Sequence, residues 1–148
     1  MKIHLAADHA GFSHKEFLKK YLIESGYDVV DHGAKFYDEH DDYPSFIHDR
    51  AKAVSEDVYS KGVIFGGSGQ GEAIVANKTK GIRAVVYYGG EQKIITLSRE
   101  HNDANILSIG ARFIEEESLI PLVMLWLQTP FSEEERHIKR IASIHSYE

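Results

Sequence analysis

Short apolar runs alternate with segments patterned at helical spacing along the whole chain, and that alternation restricts the fold to βα units around a parallel sheet. Residues 3–7 form an apolar run ending in Asp8-His9-Ala10-Gly11, the pattern of a buried strand followed by a turn. Ser13 with Glu16 has the spacing of a capping box; Phe17, Leu18, Tyr21 and Leu22 then share a helical face, and Gly26 stops the helix. Further strands are expected at 27–30, 62–65, 82–88 and 106–109. Residues 36–43 are polar and acidic and read as a loop. Pro44 opens a helix whose inward face is Ile47, Ala51, Val54 and Val58. Other helices are expected from about residue 73, over 91–99 and over about 115–128, the last with Pro121 near its first turns, where a missing amide proton costs least. Ser132 with Glu135 is expected to cap a final helix, about 132–146, carrying Ile138, Ile141 and Ile144. No repeat, low-complexity tract or linker divides the 148 residues, which fit one domain over 1–148.

Composition narrows the function. The chain has no cysteine, which excludes a disulfide scaffold, a thiolate nucleophile and a cysteine-type zinc site. Its net charge is −6, which repels a nucleic-acid backbone but leaves room for a small phosphorylated ligand held by a few arginines. Nine histidines are present, but none forms a His-x-x-x-His pair, so no metal is expected. The longest apolar run, 119–127, is far short of the ~20 residues that span a bilayer, and no signal-peptide pattern follows Lys2; no membrane partner and a cytoplasmic location are the expectations. That same run is apolar on nearly every side. A helix of this kind is buried all round; a partner subunit is expected to cover what the sheet does not, the alternative being cover by the last helix.

In an open parallel sheet, ligands bind at the carboxyl ends of the strands. Suggestive residues expected there are Asp8-His9, the loop Gly66-Gly67-Ser68-Gly69-Gln70-Gly71-Glu72, His101-Asn102-Asp103, Arg112, and Arg136 with Arg140 on the last helix. The loop is not a Walker A loop, because no Lys-Ser or Lys-Thr follows Gly71, and Glu72 stands where a dinucleotide fingerprint needs its third glycine. Its glycines and following helix suit an anion nest, or simply a tight turn. Glu72 would repel an anion if binding were the only task. It has a purpose if a base is needed beside developing negative charge, and aldose–ketose isomerisation needs that pair. Arg136 and Arg140 lie four apart on one helical face and suit a phosphate, or are surface arginines paired with nearby glutamates. His101 and Asp8 are candidates for opening a cyclic sugar, or for a turn and a cap.

Together these segments, with Tyr43-Pro44, Ala76-Asn77-Lys78, Gly81-Ile82-Arg83-Ala84, Ser98-Arg99, Asn105 and Gly110-Ala111-Arg112, resemble ribose-5-phosphate isomerase B of the ribose/galactose isomerase superfamily. The resemblance implies a three-layer αβα Rossmann-like domain with a five-stranded parallel sheet. It also implies a homodimer or tetramer with active sites shared between subunits, and no metal or organic cofactor. Asp8 and His9 would contact substrate, Asp8 aiding ring opening. Gly67, Ser68, Gly69, Gln70 and Gly71 would form the anion hole for an enediolate. His101 would open the furanose and Asn102 bind sugar oxygens. Arg112, Arg136 and Arg140 would hold phosphate, with His137 and Tyr43 lining the pocket. Many members carry a cysteine base at the position of Gly66; a second branch, with Gly-Ser-Gly-x-Gly-Glu, uses the glutamate. Glu72 is then the base and Ser68 supports the intermediate. Ribose and ribulose 5-phosphate are the implied substrates; a six-carbon sugar phosphate (galactose or allose 6-phosphate) and a non-catalytic subunit of a mixed complex are the alternatives.

Overall fold

The computed structural model describes residues 1–33 and 43–148; the acidic loop expected at 36–43 lies outside them except for Tyr43. The elements run β1 (Lys2–Ala7), a 3-10 turn (His9–Gly11), α1 (Phe12–Glu24), β2 (Asp28–Asp31), α2 (Tyr43–Ser55), β3 (Lys61–Gly66), α3 (Gln70–Ala76), β4 (Ala84–Tyr87), α4 (Lys93–Glu100), β5 (Ile106–Gly110), α5 (Glu116–Gln128) and α6 (Glu135–His145). The five strands are all parallel, in the order β2-β1-β3-β5-β4. The order reverses direction between β1 and β3, and the crevice above that reversal is where open α/β sheets bind ligands.

The period-two alternation of a strand sorts the core into two layers. Ile3, Leu5, Val63, Phe65, Leu107 and Ile109 meet Leu18 and Leu22 of α1, Ile95 of α4, and Leu119, Val123 and Trp126 of α5 on one face. Ala6, Ile64 and Ile106 meet Ile47, Ala51 and Val54 of α2 and Ala76 of α3 on the other. The expected αβα layering is therefore observed.

Several local expectations fail for tertiary reasons. The Ser13/Glu16 capping box does not form: the Ser13 hydroxyl donates to Glu116 at the start of α5, and Glu16 pairs with Lys15 and Lys19. Asp8 does the capping instead, its Oδ1 accepting the Gly11 amide at 2.9 Å. Val58 lies past the end of α2 and is 80% exposed. Pro121 does sit near the start of α5 as expected, in its second turn. α6 starts at Glu135, and the Ser132 hydroxyl bonds His137 rather than capping it. Within the chain, the apolar helix α5 packs against α1 and α4 on its flanks and against the sheet beneath. Among the described residues no helix is long and apolar enough to cross a membrane.

Beneath α2, His4 Nδ1 and His32 Nε2 lie 2.6 Å apart, and Arg50 donates to the His32 carbonyl. Burial first, then the Arg50 charge and His4, push the His32 pKa down to about 4, and burial also lowers that of His4. Between about pH 6.5 and 4 the unfolded chain binds protons here that the folded chain does not, so stability falls as the medium is acidified through that window. Asp31 and Glu16 act lower on the scale. Burial alone would raise their pKa values, but ion pairing to Lys19 and Lys15 outweighs it and lowers them, so their contribution is lost only on further acidification. Urea unfolding at about pH 7 and pH 4.5 should show a smaller acid loss for His32→Gln than for the parent chain. Equal losses would place the acid sensitivity elsewhere.

Candidate active site

At the end of β3, Gly66 leads directly into the glycine loop and α3. The reason for each glycine differs. Only Gly69 has a left-handed backbone, with φ of 75°, at the N-cap of α3. The other three leave space that neighbouring side chains fill. A Cβ added to Gly66 would fall inside the carboxylate of Glu72, and one on Gly71 would strike the Tyr43 hydroxyl. One on Gly67 would lie 3.2 Å from the guanidinium carbon of Arg112. Glu72 is in the first turn of α3 and only 4% exposed. First-turn amides have no intrahelical carbonyl partner, and the positive end of the helix dipole favours negative charge there.

The rest of this edge closes around the loop. The Asp8 amide donates to Phe65 O at 3.1 Å, which places Asp8 beside Gly66 at the reversal in strand order. Asp8 is buried and His9 half-buried in the 3-10 turn. The Ala111 and Arg112 amides donate to Gly66 O and Gly67 O at 2.9 and 3.2 Å. Ser108 Oγ, a residue the sequence did not single out, donates to Gly69 O at 2.7 Å and pins the loop from β5. Ser68 is exposed, and its hydroxyl accepts the Gln70 amide at 3.3 Å. Asp8, Tyr43, residues 66–72 and Arg112 thus form one group.

His101, Asn102, His137 and Arg140 form another. They line a cleft of ≈ 230 Å³ with Ile141 and Ile144. The His101 and His137 rings lie 4.2 Å apart, and His137 Nδ1 is 2.8 Å from Ser132 Oγ. Burial first, then the neighbouring His101, lowers the His137 pKa and favours its neutral form. Arg136 is not part of this cleft; its Nε is 2.8 Å from Glu134 Oε2.

The expectation that both groups share the carboxyl edge of the sheet is wrong. His101 ends α4 and precedes β5, so it stands at the amino edge, where Asp103 Oδ1 is 4.0 Å from Lys61 Nζ at the start of β3. The Glu72 group follows the end of the same strand. Five residue steps at ~3.3 Å separate the two edges by about 16 Å. Among the described residues no group of three His, Cys, Asp or Glu side chains is arranged to hold a metal ion.

An open parallel sheet with a buried carboxylate over a glycine loop at its strand-order reversal defines a doubly wound α/β protein, a class whose ligand crevice lies at that reversal. Residues 3–144 match the Ribose/Galactose Isomerase family, and the chain belongs to it. It is 37% identical over 148 residues to ribose-5-phosphate isomerase B of Mycobacterium tuberculosis, covering 100% of this chain and 90% of that protein. Identity to ribose-5-phosphate isomerase B of Escherichia coli K12 is 37% over 147 residues, covering 99% and 96%. The crystal structure of ribose-5-phosphate isomerase B from Mycoplasma genitalium with bound ribulose-5-phosphate superposes with a TM-score of 0.92 at 33% identity, covering 99% of this chain and 95% of that one.

Proposed function

We propose that this chain is an aldose–ketose isomerase interconverting ribose 5-phosphate and ribulose 5-phosphate. The observation that carries the reading is the Glu72 carboxylate, buried in the space left by Gly66 at the start of the glycine loop. In this reading Glu72 removes the C2 proton of the open-chain aldose. The electron pair forms the C1–C2 double bond of an enediolate while the carbonyl oxygen at C1 takes up charge and a proton. Loop amides from Gly67 to Gly71, with Ser68, hold the developing oxyanion. Loss of the O2 proton and return of a proton to C1 then give the ketose. His101 and Asp8 open the furanose first: the anomeric hydroxyl loses its proton, the bond from C1 to the ring oxygen breaks, and the ring oxygen is protonated. Asn102 holds sugar oxygens, Arg112, Arg136 and Arg140 hold phosphate, and His9, Tyr43 and His137 line the site.

The two residue groups stand at opposite edges of one sheet, so the reading requires a second copy of the chain to bring its His101 group to the first copy's Glu72 group. This is the support for a homodimer or tetramer, and it gives α6 a part in phosphate binding. The bound ribulose-5-phosphate of the Mycoplasma genitalium relative supports the pentose assignment. The direct test is turnover by the purified chain of ribose 5-phosphate and of galactose and allose 6-phosphates, with and without excess chelator. Ribose 5-phosphate is expected to be isomerised in both conditions. Turnover of a hexose phosphate alone would move the substrate class, and loss of activity with chelator would overturn the metal-free mechanism.

A further inference from the structure

The turn that carries His101 and Asn102 is closed in an unusual way. Asp103 N donates to Arg99 O at 3.0 Å, the single bond of the αL helix-end motif, and Ala104 N donates to Ser98 O, also at 3.0 Å. The residue at the left-handed position of that motif is ordinarily glycine, because a side chain there is disfavoured. Here it is Asp103, with φ of 44°. A carboxylate kept at a position that favours glycine needs a use, and its contacts supply one. Oδ1 accepts from Arg99 Nη1 at 2.7 Å and Oδ2 from Arg83 Nη2 at 3.0 Å. Arg83 also grips the backbone of the turn, with Nε donating to Asn102 O at 2.9 Å and Nη2 to Asp103 O at 2.8 Å. Its own amide donates to Asn105 Oδ1 at 2.8 Å. Arg99 completes the frame by donating to Ala104 O at 2.6 Å and Thr129 O at 3.2 Å. Both guanidinium groups are largely buried, so the frame is anchored in the body of the protein and not at its surface.

We infer that Asp103 and Arg83 are positioning residues that hold His101 and Asn102 in the orientation needed for ring opening, an inference that rests on the isomerase reading above. Neither touches the proton that moves. They fix the backbone two residues from the imidazole and directly behind the Asn102 amide. Ring opening tolerates little displacement, because acid and base must meet two particular oxygens. Proton transfer at C2 depends on the Glu72 group at the other edge, which this frame does not contact.

Ribulose 5-phosphate cannot close a furanose ring through its phosphorylated C5 oxygen, so it reaches Glu72 without ring opening and separates the two steps. Asp103→Gly suits the test, since glycine relieves the left-handed backbone while removing the carboxylate. Its kcat on ribose 5-phosphate is expected to fall ~10–100-fold. Solvent proton exchange into ribulose 5-phosphate is expected to stay within about twofold of the parent chain, as the base is not displaced. Asp103→Asn, which tolerates the same backbone and keeps one acceptor, should recover part of the loss. The His101 imidazole NMR signals should shift in Asp103→Gly while those of His4 and His32 stay in place. Parental kcat, or equal losses in both assays, would overturn the inference. A parent chain inactive on ribose 5-phosphate would overturn the isomerase reading instead; unmoved His101 signals would then still refute the positioning role, and shifted ones sustain it.

Discussion

Glu72→Gln is expected to lower exchange of the substrate C2 proton with solvent by ~10²–10⁴-fold while substrate still binds. Glutamine nearly matches glutamate in size, so it fits the space beside Gly66 without opening a cavity or forcing the loop apart. It removes the charge and with it the ability to accept a proton. Binding should persist because the arginines assigned to phosphate are untouched, and loss of a negative charge beside an anionic ligand does not weaken attraction to it. Exchange followed by NMR in deuterated solvent, with binding followed by calorimetry, separates the two effects. Parental exchange rates would remove Glu72 from the base role. Loss of binding together with exchange would make it a residue of the site's architecture.

Gly66→Ala is expected to be the most damaging change of a single methyl group in the loop. The added Cβ falls inside the Glu72 carboxylate, and both are buried, so one must move. Displacing a catalytic group by an ångström costs on the order of 10²-fold in rate, and overpacking a buried site costs about 1–3 kcal/mol of stability. The signature lies in the coupling. In a Glu72→Ala background the space is empty, and the same glycine substitution should cost little stability, giving strong non-additivity in a double-mutant cycle. Additive stability losses would mean that Gly66 is required for its backbone and not for the room it leaves. In this chain a side chain at 66 and the carboxylate of Glu72 would compete for one volume.

Much of this was legible in the sequence, with identifiable limits. Five strands and six helices follow from periodicity, because alternating residues such as Ile3, Leu5 and His4, Ala6 truly face different layers. Local caps were less legible. Ser13 matches a capping box, yet Glu116 comes from 103 residues away to bond it, and no local pattern reports such a partner. Glu72 was legible as a misplaced carboxylate, but the purpose of the glycines around it was not. A run of glycines suggests backbone freedom, and only packing reveals that three of them make room for Glu72, Tyr43 and Arg112. The placement of His101 was misjudged for a reason open to correction from sequence alone. In a parallel sheet every helix returns the chain to the amino edge, so a residue between a helix and the next strand cannot stand at the carboxyl edge. The role of Asp103 was invisible, since the left-handed backbone that makes it odd appears only in the structure.

No motion that leaves the sheet intact can bring the Glu72 and His101 groups of one chain together. Under the proposed reading, catalysis is then a property of encounters between chains. Below the concentration at which copies associate, the rate rises as the square of chain concentration and not in proportion to it. Damage is also shared in an uneven way. A pair formed from one chain lacking Glu72 and another lacking His101 holds one site with both defects and one site with neither, so two inert copies together make a working enzyme.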